Sequence, residues 1–219
     1  MAQNGGEKFG AVIKTNPTKG AFKSLEMDPG QKRKVILVTD GDRIAQKAVE
    51  TAARNVGARC ISRSAGNPTR QSGQELVKLI KDAPLDPVVV MLDDRGFSGP
   101  GRGETALAYI AGHPDIQVLG ILAVASNTDK ACGCRVDASV SRTGQVIEGP
   151  VDKWGLPEKE LLQGDTVGVI DGLNVPLVIG IGDIGKMDRA DAAEKGAPLT
   201  TKAFQTILDR SGFNAAGSG

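Results

Sequence analysis

Four runs of mostly aliphatic residues constrain this chain more than anything else in it: Val35-Ile36-Leu37-Val38, Val88-Val89-Val90-Met91-Leu92, Ile116 to Ala125, and Val175 to Gly182. None alternates polar with apolar, so none reads as a strand with one wet face. Short continuous runs of this kind are strands buried on both faces, the pattern of a parallel sheet sandwiched between helices. The segments between them agree. Ile44, Ala45, Ala48, Val49, Ala52, Ala53 and Val56 fall on one helical stripe, which predicts a helix from about Arg43 to Asn55. Asp42 is placed to cap it and Gly57 to end it.

A short strand follows at Ala58 to Ser62, then a polar turn from Ser64 to Arg70, then a helix from about Ser72 to Lys81 stopped by Pro84 and Pro87. Glu104 to Ala111 reads as a further helix, and Thr200 to Arg210 as the last one. The first half is therefore β-α-β-α-β-α-β, a mostly parallel, Rossmann-like α/β sheet with helices on both faces. In the second half, Arg135 to Ser141 and Gln145 to Glu148, joined by Arg142-Thr143-Gly144, predict a β-hairpin insert. Residues 1–32 and 214–219 are poor in apolar positions and are read as a flexible arm and tail around one domain over 33–213.

Composition narrows the function. Aromatic residues make up only 3% of the chain, too few to supply stacking platforms for single-stranded nucleic acid. The formal net charge is +1, so no global field draws the protein to nucleic acid or anionic lipid, and no nucleic-acid partner is expected. Cys60, Cys132 and Cys134 are too few for a disulfide framework and read as free thiols. With His113 as the single histidine, a four-ligand zinc site is not expected. No run approaches the roughly 20 apolar residues that span a bilayer, and the lysines near the N-terminus precede no apolar core, so neither a membrane span nor a secretory leader is expected.

The strand ends carry the candidate chemistry. In open parallel sheets ligands sit beyond the strand C-termini. Here those ends read Asp40-Gly41-Asp42, Asp93-Asp94-Arg95-Gly96 and Gly182-Asp183-Ile184-Gly185-Lys186. If the first and third strands are neighbours, Asp40 meets Asp93 or Asp94, and converging carboxylates suit a hard cation such as Mg²⁺. Read singly, Asp42 is a helix cap and Asp93 a turn cap. The Gly-rich loop from Gly96 to Glu104 could hold an anion at a helix start, although its spacing matches no dinucleotide or Walker fingerprint. Ser98 has no histidine near it in sequence to serve as a base. Trp154, in Val151-Asp152-Lys153-Trp154-Gly155-Leu156-Pro157, is either an interface anchor or a lid on the core.

Two resemblances attach to these residues. The acidic loops resemble the Toprim fold of topoisomerases, primases and related nucleases, with Asp40 after the first strand and Asp93-Asp94-Arg95 after a later one. Arg95 stands where that family carries its second metal-binding carboxylate, which weakens the case for Mg²⁺; Asp40, Asp93 and Asp94 are the only candidates for it. A longer match runs from about Lys32 to Phe213. It is carried by Lys34 to Asp42, Ser64 to Pro68, Gly120 to Ser126, Val151 to Pro157 and Asn174 to Met187. These segments resemble the soluble stage V sporulation protein AE family of spore-forming Firmicutes.

That resemblance implies a non-enzymatic subunit, without a cofactor of its own, peripheral to the spore inner membrane. Its system moves dipicolinic acid during sporulation and germination. It implies partners among the membrane members of the stage V sporulation A system, the germinant-receptor-like AF protein foremost, with dipicolinate as a possible ligand. Asp40, Asp42, Asp93, Asp94, Arg95, Arg102, Trp154, Asp183 and Lys186 are the expected docking or binding residues, and Arg95, Arg102 and Lys186 the cations available to a carboxylate. The competing expectation is a Mg²⁺-dependent Toprim-like phosphotransfer enzyme or nuclease.

Overall fold

A computed structural model describes residues 31–96, 100–126 and 132–213. The predicted strands and helices appear in order: β1 (Arg33–Val38), α1 (Arg43–Asn55), β2 (Arg59–Cys60), α2 (Gly73–Lys81), β3 (Val88–Met91), α3 (Arg102–Ala111) and β4 (Ile116–Val124). After them come β5 (Cys132–Cys134), β6 (Ala138–Val140), β7 (Val146–Ile147), β8 (Leu162–Gly164), β9 (Val178–Ile181) and α4 (Pro198–Ser211). Seven strands form one sheet in the order β2-β3-β1-β4-β9-β6-β7, and β5 pairs with β8 in a separate two-stranded sheet. Every pairing in the large sheet is parallel except that of β6 with β7. The chain is thus the expected mostly parallel α/β protein.

The layers follow from the crossovers. The chain leaves β1 toward β2 and returns through β3 to β4, so it reverses direction across the sheet. Crossovers of one hand then place α1 on one face and α2 and α3 on the other. The core divides accordingly. Ile36, Val38, Val89 and Met91 pack under α1 and α4, while Val35, Leu37, Val88 and Val90 pack under α2 and α3. Each strand alternates its side chains between two apolar layers, which is why its sequence does not alternate in polarity.

Local signals set several boundaries. Asp42 caps α1 by accepting the amides of Ile44 (2.7 Å) and Ala45 (2.8 Å). Gly57, at φ 72°, closes the far end of that helix. Ser72 and Glu75 form a reciprocal capping box at α2.

Two expectations need correction. The second strand is only Arg59–Cys60, because Ser62–Ser64 turns into a 3₁₀ segment. The strand expected from Val175 starts at Val178, after the proline at 176. The expected hairpin forms, with Gly144 at φ 80° in its turn. β6 pairs in parallel with β9, Ala138 with Ile179 through Val140 with Ile181, and so extends the main sheet.

Candidate functional site

β1 and β4 are neighbours whose outgoing connections run to opposite sides of the sheet, which marks their C-terminal ends as the switch-point crevice of a doubly wound fold. The loops after β1, β3 and β9 all open onto this edge. The turn from Ser64 to Arg70 closes over it. Ser64 Oγ accepts the Met91 amide (2.9 Å), Gly66 N–H donates to the Gly41 carbonyl (2.9 Å), and Thr69 exchanges bonds with Asp93. The sequence isolates this turn without saying what it touches.

The strands that carry these carboxylates are neighbours, but the chain itself occupies the acids. Asp93 is 3% exposed and accepts the amides of Gly41 (3.2 Å) and Arg95 (2.7 Å), one on each oxygen. Burial pushes its carboxyl up to about 6 against those two bonds, with Asp165 adding repulsion. Asp40 is partly buried and accepts the Asp42 amide (3.1 Å); burial, then the charges of Asp42, Asp93 and Asp183, raise it well above the ordinary range. Lys186 joins two elements, donating to Asp42 (3.0 Å) and Asp183 (2.9 Å). Burial would lift Asp42, yet the Ala45 amide and Lys186 hold it below its usual value. Asp183 stays raised by burial despite the same lysine. Among the described residues no three His, Cys, Asp or Glu side chains are grouped as a metal cage.

Asp94 belongs to a different structure. Its carboxylate takes the amides of Gly103 (2.6 Å) and Glu104 (2.8 Å), so it caps α3 from nine and ten residues upstream, where Gly101 has no side chain to do so. This corrects the anion-binding reading of that loop: the helix start already holds an anion from its own chain. Ser98 lies outside the described residues. Arg95 and Arg102 are exposed beside the end of β3, whereas Lys186 follows β9, three strand spacings away. Lys186 is engaged by Asp42 and Asp183, whereas Arg95 and Arg102 stay exposed.

Trp154 is exposed and is not a lid on the core. It is 44% exposed at the tip of a loop whose ends pair at Val151 and Pro157. Asp152 accepts the amides of Trp154 (2.8 Å) and Leu156 (2.9 Å) on one oxygen, and the Lys153 ammonium lies 4.9 Å from the Trp154 ring centroid. The loop is tied to the β9 exit, with Asp183 N–H donating to the Lys153 carbonyl (2.9 Å). Leu156, 45% exposed, stands beside Trp154 in sequence and was not singled out by reading the chain. Nor were Glu104 and Asp165. Glu104 is buried and raised by that burial, and Asp165 accepts the Gly96 amide (2.6 Å). Local sequence carries no mark of either role. Cys60 and Cys134 are free, and burial pushes both thiols up to about 12, which makes them inert near neutral pH.

Asp93 yields a pH prediction. In the unfolded chain its carboxyl titrates near 3.8, in the fold near 6. Between those values the folded protein holds a proton that the unfolded chain has released, so stability falls as pH rises through the window. The upper bound is about 3 kcal/mol. Urea denaturation at pH 4, 5, 6 and 7 is expected to show a smaller slope for Asp93→Asn than for the wild type. An unchanged slope would remove Asp93 as the source.

These features define a doubly wound α/β protein whose polar sheet edge is internally tied and flanked by an exposed tryptophan loop. The family model described as stage V sporulation protein AE1 matches residues 34–211, most of the chain, and the protein belongs to that family. No curated protein and no solved structure matches it. Membership gives it a role in sporulation. No described helix is long and apolar enough to cross a membrane.

Proposed function

We propose that the protein is a non-enzymatic, peripheral subunit of the spore inner-membrane stage V sporulation A system, acting in the movement of dipicolinic acid during sporulation and germination. The observation that carries this reading is the division of labour at the sheet edge. The carboxylates that would serve a catalyst are engaged by backbone amides and Lys186, while Trp154 and Leu156 are held outward by a loop whose amides Asp152 satisfies. A pre-ordered aromatic anchor loses little entropy on docking, which is what a recognition loop needs. Family membership supplies the sporulation setting, and the partners in this reading are the membrane members of the system, the AF protein among them.

The test is capture of the membrane members by the full chain. Trp154→Ala combined with Leu156→Ala is expected to weaken capture at least about tenfold, the loss of a central aromatic anchor. The thermal midpoint should stay put, since both side chains are exposed. Undiminished capture would sink the docking role of the loop.

The repulsion of Asp40 by Asp42, Asp93 and Asp183 at this edge is what one other reading, a Mg²⁺-dependent Toprim-like enzyme, would build on. Titration calorimetry with Mg²⁺ and Mn²⁺, with a nuclease assay beside it, separates the two. Cation binding accompanied by strand cleavage would replace the docking proposal. A rise in thermal midpoint with dipicolinate would instead make the subunit a direct carrier or sensor of that acid.

A further inference from the structure

At the ends of β1 and β3 the acids are turned inward and arginines stand outside them. Asp93 and Asp94 are buried, and each accepts two backbone amides. Arg43, Arg70, Arg95 and Arg102 are exposed at the same edge. Among the described residues none of the four makes an ion pair; the cations that do are Arg33, Lys81, Arg142 and Lys186.

The backbone that carries each arginine is fastened by one of the acids. Arg43 is the first residue of α1, which Asp42 caps, and Arg102 the first residue of α3, which Asp94 caps. Arg70 follows Thr69, which exchanges bonds with Asp93. Arg95 donates its own amide to Asp93 and sits at φ 56°. Glycine fills that left-handed position without strain, and an arginine does not. Strained backbone of this kind collects at functional sites. Side chains carried on a fixed backbone also lose less freedom when a partner docks.

The residue type separates the possible partners. A bilayer surface or a nucleic-acid backbone attracts lysine and arginine alike. Here all four cations are arginines, while the exposed Lys32, Lys78 and Lys81 gather at the opposite edge, by the start of β1 and the end of α2. A guanidinium presents a planar fork that takes a carboxylate through two parallel N–H···O bonds, which an ammonium cannot do. Protein interfaces enrich arginine and deplete lysine for this reason among others. We propose that this edge docks an acidic segment of a partner protein, a stretch rich in Asp and Glu whose carboxylates the four guanidiniums take. The assignment goes beyond the docking role given to Trp154 and does not rest on it.

The test is fluorescence anisotropy of the full chain, at physiological salt, with a labelled Glu-Gly repeat peptide and its Gln-Gly counterpart. The Glu peptide is expected to bind at least about tenfold more tightly than the Gln peptide. Arg70→Glu combined with Arg95→Glu should lose at least about tenfold in affinity. Arg43→Glu combined with Arg102→Glu should lose as much without harm to the fold, because Glu suits a helix start. Changing all four to lysine keeps the charge, removes the fork and should weaken binding about threefold or more. Lys78→Glu with Arg210→Glu, in the last turns of α2 and α4, alters the net charge equally and should leave binding intact. Equal binding of the Gln peptide, full binding by the folded Arg43→Glu, Arg102→Glu chain or by the all-lysine chain, or an equal loss from the Lys78, Arg210 control would each overturn the proposal. So would tighter binding of phosphatidylglycerol vesicles or of a thymidine oligonucleotide, either of which would make the edge a phosphate-binding surface. Capture of the membrane members reads the Trp154 loop and peptide binding reads the arginines, so the two assignments fail separately.

Discussion

Asp191→Ala is expected to lower the stability of the protein by about 3–5 kcal/mol. Asp191 is fully buried and takes four donors: the amides of Gly185 (3.0 Å), Leu199 (2.8 Å) and Thr200 (2.9 Å), and the Thr200 hydroxyl (2.6 Å). One carboxylate thereby caps α4 and anchors the loop after β9. The helix needs that cap, since its own N-cap residue, Ala197, has no side-chain acceptor and sits at φ 47°. The same loop carries Met187, Asp188 and Arg189 at φ 50–64°, three consecutive side-chain-bearing residues in the left-handed region. Such backbone costs about 1–3 kcal/mol per residue and persists only where its surroundings hold it. Removing Asp191 leaves buried donors bare and releases that loop together. For a chain of this size the loss corresponds to roughly 10–15 °C in thermal midpoint. Urea denaturation and thermal melting followed by circular dichroism check it, with Asp191→Asn retaining part of the stability. A loss under about 1 kcal/mol would show that water replaces the carboxylate and that the cap is dispensable.

Gly103→Ala is the second large effect, at about 3 kcal/mol or more. A Cβ at Gly103 would lie 2.8–2.9 Å from the backbone of Asp93, closer than carbon tolerates, and the obstacle is main chain that cannot rotate away. α3 must then lift from the end of β3, and the Asp94 cap at 2.6 and 2.8 Å goes with it. Gly172→Ala is the control, because a Cβ there meets nothing within 4 Å, and its effect should stay within about 0.5 kcal/mol. Equal, small effects for both substitutions would mean that α3 is not seated by close approach. Either outcome reads directly on the candidate edge, since α3 and β3 together position Asp93 and Asp94.

The two predictions concern residues that reading the chain either missed or misassigned, and the reason is physical. Asp42 is legible as a helix cap because the amides that donate to it are two and three residues away. Asp94 reaches α3 across nine residues of glycine-rich loop, so it reads as a free acid until the loop is folded. Lys186 and Asp42 are 144 residues apart, and nothing local in either announces the pair. Trp154 is legible as unusual, but its exposure depends on Asp152 closing the loop beneath it. The hairpin at Val146–Ile147 is visible from its turn, whereas the parallel pairing of β6 with β9 joins segments almost 40 residues apart and leaves no periodic trace.

By itself the sequence determined the architecture. Unalternating aliphatic runs can only be strands covered on both faces, and the helical stripes between them can only be that cover. It also determined where polar groups would collect, because strand ends in such a sheet open onto one edge. Only the tertiary structure decided what those groups are for. A carboxylate's role depends on which donors fold against it, and most of those donors come from distant segments. At Asp93 and Asp94 they are backbone amides, at Asp191 three amides and the Thr200 hydroxyl, and at Asp42 and Asp183 they include one shared lysine. The acidic edge that reads as a cation site in one dimension is, in three, tied by amides and a lysine of its own chain.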